Sequence, residues 1–287
     1  IMVPLRNKKK VKFGFRTHRS EEMDKSNHNS ISIPKQIPHT LESQRLPNLT
    51  KFDQSDAEMV YELETDSLAC YYSGDQDARI LITTSDKQPH RRVFQFCKEL
   101  AMVFPNAKFS KRRKCSLKVL IESMMERDFT QLMVVDERLG KPDEIYISHL
   151  PKGPTLCFRV IKYKTAKHMR TLGQFTDHNP EIILNNFTTQ IGQTVARTFG
   201  TLASKDTDHR GRRVIVFHNQ RDFIFFRHYR YVFREPGETK KVGFKELGPK
   251  ISLKLISVQK GTFDSKYGEY IWVLNRHEME RNRRKFQ

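Results

Sequence analysis

The sequence lacks a stretch of 18 or more apolar residues, so no membrane-spanning helix is expected. Its first ten residues, IMVPLRNKKK, also lack the apolar core of a secretory signal. The chain begins with Ile1 rather than Met, as expected of a fragment or of a chain with further residues upstream. Only 37% of its 287 residues are hydrophobic, which predicts a folded body with polar extensions.

Cysteine is scarce, and its spacing argues against a metal site. The four cysteines, at positions 70, 97, 115 and 157, form no C-x-x-C pair and no finger-like pattern with histidine. We therefore expect no zinc site in this chain. Cys97 and Cys157 lie in apolar stretches and are predicted to be buried thiols, which suits a reducing compartment.

Recognisable catalytic motifs are also missing. The sequence contains no G-x-x-x-x-G-K-[ST], no G-x-S-x-G and no H-E-x-x-H, so we expect neither a cofactor nor catalysis. One acidic cluster, Asp136, Glu137, Asp143 and Glu144, could hold a divalent ion in a metal-dependent nuclease. It frames residues 138–142, which are predicted to form a turn, so exposed turn carboxylates are the simpler interpretation. His149, His178 and His218 are interpreted as hydrogen-bonded structural histidines.

What is abundant is positive charge. Lysine and arginine number 52 against 33 acidic residues, giving a net charge of +19. Such a charge opposes compaction unless a polyanion neutralises it. Nucleic acid is the first candidate partner, an anionic membrane surface the second, and an acidic protein the third.

The composition changes along the chain and predicts three segments. Residues 1–78 read as a flexible extension, with a basic arm from Arg6 to Arg19 followed by an acidic patch from Asp53 to Asp66. The arm could bind RNA, act as a nuclear import signal, or simply be solvated. Residues 79–266 read as the folded domain, and residues 267–287 as a basic tail.

Within the folded domain, short apolar strands alternate with amphipathic helices, which predicts an α/β sheet with layered helices. Strands are predicted at 80–82, 107–110, 132–135, 145–148, 156–163 and 251–258. Helices are predicted around Val93–Phe104 and Leu117–Met124, and a third, capped by Asn185 or Asn186, carries Phe187, Val195 and Phe199 on one face. Element order alone suggests that the second half repeats the first.

The most informative segment is Gly211–Phe233, GRRVIVFHNQRDFIFFRHYRYVF, which predicts two strands joined by a turn at 218–221. Because alternate strand residues face opposite sides, its far end carries rings on one side and cations on the other. We expect Val214, Val216, Phe223 and Phe225 to pack in the core. Cations can neutralise phosphates, and rings can stack on bases. The predicted RNA contacts are Arg212, Arg213, His218, Asn219, Gln220, Arg221, Arg227, His228, Arg230, Lys250 and Lys254.

Several long motifs resemble those of Brix-domain proteins. They are ILITTS at 80–85, SHLPKGPT at 148–155, PEIILNNF at 180–187 and the Gly211–Phe233 hairpin. The combination with KELGPKISLKL and QKGTFDSKYGEYIW makes the resemblance more specific than any short glycine pattern. It extends from about Arg79 to the last residues of the chain.

The resemblance implies two similar α/β halves, each like an anticodon-binding domain, with basic polar extensions at both ends. It implies a non-enzymatic, nucleolar role in assembling the large ribosomal subunit, with binding to precursor ribosomal RNA. The segment Val214–Arg227 corresponds to the family's sigma-factor-like motif, which implies contact with RNA. Other assembly factors, including a zinc-containing partner, are expected.

Overall fold

The computed structural model describes residues 38–40, 43–44, 51, 57–85, 88–113, 115–169, 173–204, 206–234, 241–263 and 268–275. The predicted basic arm Arg6–Arg19 and the basic residues from Arg276 onward lie outside the described residues.

The first half of the folded body contains five strands and four of the helices. In chain order these are α1 (Ala57–Thr65), α2 (Ala69–Ser73), β1 (Ile80–Thr84), α3 (Arg91–Val103), β2 (Ala107–Phe109), α4 (Leu117–Met125), β3 (Gln131–Arg138), β4 (Lys141–His149) and β5 (Thr155–Lys164). The second half contains β6 (Glu181–Asn185), α5 (Gln190–Gly200), β7 (Arg213–Gln220), β8 (Phe223–Arg234), β9 (Lys241–Glu246), β10 (Lys250–Gln259) and β11 (Tyr270–Val273). The predicted strands and helices of the domain are therefore present, with β6, β9 and β11 as additional strands.

The eleven described strands join one sheet, in which the strands of the first half lie on one side and those of the second half on the other. The order is β2-β1-β3-β4-β5-β10-β8-β7-β6, with β9 paired to β8 and β11 paired to β10. Each half contains a parallel pair, β1 with β3 and β6 with β7, followed by antiparallel strands; α3, β2 and α4 lie between β1 and β3, and α5 lies between β6 and β7. The halves meet where β5 pairs antiparallel with β10. This arrangement confirms the predicted α/β fold with two similar halves.

One face of the sheet, called the covered face below, carries the main core. Helices α3 and α5 bury their apolar stripes on it, with Phe96, Leu100, Val195 and Phe199 packed against strand residues such as Phe158. A helix stripe with apolar residues at three- and four-residue spacing is suited to this kind of packing. The buried α3 and α5 stripes include most of the residues that the sequence predicted.

A smaller core lies on the other side of the sheet, at its β1–β3 end. There α4 packs Met124 against Leu81, Leu132 and Val134. Ser116 begins α4 by accepting a hydrogen bond from the backbone nitrogen of Val119. The rest of this side of the sheet, from β5 to β7, is described below.

Two local predictions are wrong. The β7–β8 turn is not at 218–221 but at Arg221 and Asp222, which both have positive φ (54° and 61°), as a two-residue hairpin turn requires. Helix α5 is capped by Thr189, whose hydroxyl accepts from the Gly192 nitrogen. Neither Asn185 nor Asn186 is its cap, because Asn185 ends β6 and Asn186 adopts a left-handed conformation.

Contacts with the folded domain begin before the predicted boundary at residue 78. Leu68, only 1% exposed, belongs to the interior although it precedes the boundary. The guanidinium of Arg197 on α5 lies over the Tyr72 ring and donates to the Leu63 carbonyl at 2.7 Å. The Tyr72 hydroxyl in turn donates to the Arg197 carbonyl at 2.9 Å. Helices α1 and α2 therefore belong to the folded body. At the other end, β11 shows that the body continues into the predicted tail.

Candidate nucleic-acid interface

The side of the sheet opposite the covered face carries a surface of mixed rings and cations between β5 and β7, called the open face here. Its side chains alternate along each strand with those that enter the main core. They are only partly buried or are exposed. By strand, the open face comprises Arg159, Lys162 and Lys164; Lys250, Ser252 and Lys254; Phe223, Phe225, Arg227 and Tyr229; and Val216, His218 and Gln220.

Strand register brings cations and rings from distant parts of the chain side by side. Lys254 on β10 lies opposite both Arg159 on β5 and Phe223 on β8. In the next row, Phe225 lies opposite His218 on β7. Cross-strand neighbours of this kind are in direct side-chain contact range. The open face is therefore a continuous surface built from four strands.

Two of its cations are neutralised by carboxylates. Arg159 donates to Glu144 on β4 at 2.9 Å, and Lys250 lies 2.6 Å from the Glu246 carboxylate. Burial by itself raises the pKa of the Glu144 carboxyl, but hydrogen bonds from Arg159 and Tyr146 bring that pKa below its usual value. Glu144 is therefore ionised at neutral pH and holds Arg159 in place.

Lys254 and Arg227 have no carboxylate partner within the described residues. The Lys254 ammonium lies 5.6 Å from the Phe223 ring centroid, and the Arg227 guanidinium lies 5.6 Å from that of Phe225. Arg227 also donates to the Ile251 carbonyl at 3.0 Å, which fixes its position on the sheet. These cations keep charge available to an anionic ligand, since a ring does not neutralise a cation.

The structure brings five of the eleven predicted RNA contacts together on the open face: His218, Gln220, Arg227, Lys250 and Lys254. Arg221 occupies the turn at the end of the hairpin. Asn219 belongs to the other side of β7, where it exchanges amide hydrogen bonds with Asn186 at 3.1 and 3.3 Å. Asn219 thereby ties the end of β7 to the end of β6.

Arg213 and His228, two of the predicted RNA contacts, are buried in the structure. Both are exposed by no more than 3%. Arg213 donates to the carbonyls of His178 at 2.7 Å and Val103 at 2.8 Å, and its Nε donates to His228 Nε2 at 3.3 Å. They face inward because they share the strand parity of the core residues Ile215 and Phe226.

This network sets the protonation state of His228. Since Nε2 accepts from Arg213, Nδ1 carries the proton and donates to the Gly248 carbonyl at 2.9 Å. Burial lowers the pKa of His228 to about 4 and that of the Arg213 guanidinium to about 10. The imidazole is therefore neutral and the guanidinium charged at pH 7.

The two remaining predicted contacts lie at the far end of the hairpin from the turn. Arg212 is exposed, and its guanidinium is 5.5 Å from the Phe233 ring centroid. Arg230 is partly buried on the other side of β8, where it donates to the Gln174 carbonyl at 3.3 Å. These two arginines flank the outer part of β8 rather than the centre of the open face.

Sequence reasoning missed the basic residues of β5. Arg159, Lys162 and Lys164 lie in an apolar stretch, TLCFRVIKYK, whose pattern predicts a strand and no RNA contact. Basic residues within an apolar strand could have indicated a charged side of the sheet. Which side they occupy, however, depends on a register shift between β5 and β10. Sequence periodicity could not reveal that shift.

The acidic cluster proposed for a nuclease does not converge on one point. Asp136 bonds the Ser85 hydroxyl, Glu137 accepts from the His90 nitrogen at 2.9 Å, and Glu144 pairs with Arg159. In the part of the chain that the structure describes, no group of three or more metal-binding side chains is found. The turn between β3 and β4 lies at Leu139 and Gly140, as the sequence predicts.

His149 is a buried structural histidine, as predicted. Its Nε2 lies 2.8 Å from the Thr201 hydroxyl, and burial lowers its pKa to about 4. Cys97 and Cys157 are buried free thiols, also as predicted, and burial raises the pKa of each to about 12. Among the described helices, none has the length and apolar character needed to cross a bilayer.

Comparison with known proteins agrees with this architecture. A sequence model of the Brix domain matches residues 86–257, and the chain belongs to the Brix-domain family. Ribosome production factor 1 of Pongo abelii is 46% identical over 254 residues, which cover 88% of this chain and 72% of the relative. The Brix domain-containing protein F44G4.1 of Caenorhabditis elegans is 40% identical over 282 residues, covering 98% of this chain and 71% of the relative.

A solved structure also resembles part of the chain. It is a probable ribosomal biogenesis protein from Aeropyrum pernix K1, with 20% sequence identity and a TM-score of 0.47. The match covers 62% of this chain and 96% of that one.

Proposed function

We propose that the protein is a non-enzymatic ribosome-assembly factor that binds precursor ribosomal RNA of the large subunit through the open face. The names of its relatives, Ribosome production factor 1 among them, support the ribosomal role. The chemistry of the open face supports RNA as the ligand.

The observation that carries the proposal is the placement of cations beside rings on a surface that no described helix covers. An isolated solvated cation needs no ligand, but several cations close together on one side of a sheet repel one another. A phosphate backbone relieves this repulsion and releases counterions as it binds. The rings of Phe223 and Phe225 offer stacking surfaces next to the charges of Lys254 and Arg227.

The role implies a location and partners. We propose that the protein acts in the nucleolus, within the nucleus, together with other large-subunit assembly factors. A zinc-containing factor is among the proposed partners. Any zinc would belong to that partner, since the four cysteines of this chain have no zinc-site spacing.

RNA binding can be tested by fluorescence anisotropy with transcripts of precursor large-subunit RNA at several salt concentrations. We expect the affinity to fall steeply with salt, at a log–log slope of about −0.7 to −0.9 per phosphate neutralised. The variant Lys162→Glu/Lys254→Glu should bind at least about tenfold more weakly and with a shallower slope.

The matched control is Arg91→Glu/Arg92→Glu, which makes the same charge change on α3, on the covered face. Both of its side chains are exposed, so both variants should keep the melting temperature of the parent. An equal loss of RNA affinity in the two variants would mean that binding depends only on the total charge of the protein. Unchanged binding by the open-face variant would remove the open face as the RNA site.

A further inference from the structure

Strands β8 and β9 continue beyond the main sheet as a two-stranded ribbon, formed by residues 229–234 and 241–246. Arg230 is the last residue of β8 in register with β7, and from Val232 to Arg234 the described pairing is with β9 alone. An isolated pair of strands has little stability of its own. A binding partner that contacts these side chains would therefore stabilise the ribbon.

The ribbon displays rings on the same side as the open face. Tyr229, Tyr231 and Phe233 alternate along β8, and the register places Phe244 opposite Tyr231 and Val242 opposite Phe233. Phe244 is 62% exposed and Phe233 is 50% exposed. Phe244 contacts Tyr229 edge to face, with centroids 5.8 Å apart, and Tyr231 contacts Phe233 in the same way at 5.6 Å. In an edge-to-face pair, the ring that contributes its edge keeps both of its faces clear of the other ring.

The charges around these rings favour a polyanion over an apolar protein segment. The Arg212 guanidinium lies beside Phe233, and the exposed Lys245 is in register with Arg230 on the other side of the ribbon. Like charges directly opposite one another destabilise a strand pair. Among the described residues, the carboxylates near these rings are engaged, since Glu246 pairs with Lys250 and Glu181 accepts from His209 and Tyr231. The ribbon thus offers an excess of positive charge around exposed rings.

We propose that the ribbon is a stacking platform for unpaired nucleotides, so that the protein selects single-stranded over duplex RNA. The proposal rests on RNA binding by the open face and specifies the class of RNA. Bases in a duplex are stacked on each other and cannot reach Phe233 or Phe244, whereas unpaired bases can. Arg212 would then contact the phosphate of a nucleotide stacked on Phe233.

The test compares a single-stranded RNA oligonucleotide with a duplex of equal length. We expect Phe233→Ala/Phe244→Ala to bind the single strand about 25-fold or more weakly, because each of the two lost base–ring stacks contributes about fivefold or more. Binding to duplex should change less than about twofold. The salt slope should stay that of the parent, because removing a ring removes no phosphate contact. Tyr61→Ala, which removes a 70% exposed ring on α1, is the matched control.

A second variant reports the stack directly. In Phe244→Trp the new indole should lose fluorescence when the single strand binds, against a background from Trp272, the one tryptophan of the chain. Unchanged single-strand affinity in the double alanine variant would overturn the proposal, even if open-face variants lose RNA. Loss of a protein partner with RNA affinity intact would also overturn it, by making the ribbon a protein-docking site. If the parent chain binds neither RNA, the proposed function itself fails.

Discussion

The two faces of the central sheet use the same residue types for opposite purposes. On the covered face, Phe199 is 1% exposed and stacks on Phe217 at 4.1 Å and on Phe158 at 5.1 Å. On the open face, Phe223 and Phe225 lie under cations and remain partly exposed. Rings on the first face contribute to stability, and we propose that rings on the second contribute to binding.

One hairpin supplies both sets of rings. Along β8, Ile224 and Phe226 enter the core, while Phe223 and Phe225, one residue away, do not. The same holds for arginine, since Arg213 is inside and Arg227 lies on the open face. The type of a side chain therefore does not determine whether it is buried in this fold. What determines it is whether the side chain points toward helices α3 and α5 or away from them.

The largest effect should come from the centre of the covered face. Phe199→Ala removes a ring stacked on two others and leaves a cavity, so we expect the free energy of unfolding to fall by about 3–5 kcal/mol. Urea denaturation measures it. For contrast, Phe244→Ala on the exposed ribbon should change it by less than about 0.5 kcal/mol. Similar losses in the two variants would contradict the distinction between the faces.

Acid should destabilise the covered face through His149 and His228. Each has a folded pKa of about 4, below the ordinary value of 6.5, because burial disfavours the charged ring. Between pH 6.5 and 4 the unfolded chain binds the proton and the folded chain does not. Stability is therefore complete above pH 6.5 and falls as the pH drops toward 4, by about 3 kcal/mol per histidine.

Urea denaturation of the parent and of His228→Gln at pH 7 and pH 4.5 measures this loss. The variant should lose less stability between the two pH values, because glutamine does not titrate. An identical pH dependence in parent and variant would show that His228 is not the group responsible.

The smallest expected difference in stability is between variants of two arginines, one on each face of the sheet. Arg213→Met leaves the carbonyls of His178 and Val103 without their buried donor, so we expect a loss of about 2–3 kcal/mol. Arg159→Met on the open face removes a partly exposed ion pair and should cost less than about 1 kcal/mol. Denaturation midpoints of the two variants provide the comparison. A larger loss for Arg159→Met would reverse the assignment of the two faces.

Sequence patterns predicted much of this fold because the patterns are local. The stripe on α3, the strand at 132–135 and the turn at Leu139 and Gly140 each depend on neighbours within a few residues. The candidate site was predicted less completely. The sequence predicts the hairpin segment correctly. It places Val216, Phe223 and Phe225 in the core, whereas the structure buries Ile215, Ile224 and Phe226 instead. Both sides of β8 are apolar at its start, so periodicity could not choose between them.

The Brix-domain class, the helices and strands of the domain, and the excess of positive charge follow from the sequence. Which side of β7 and β8 meets α3 and α5, and so which cations are buried, depends on tertiary packing. It also brought Arg159 on β5 beside Lys254 on β10, 95 positions apart in the chain. Alternation along a strand shows that its two sides differ, but it does not show which side is buried. Only packing against other elements places one side in the core and leaves the other exposed.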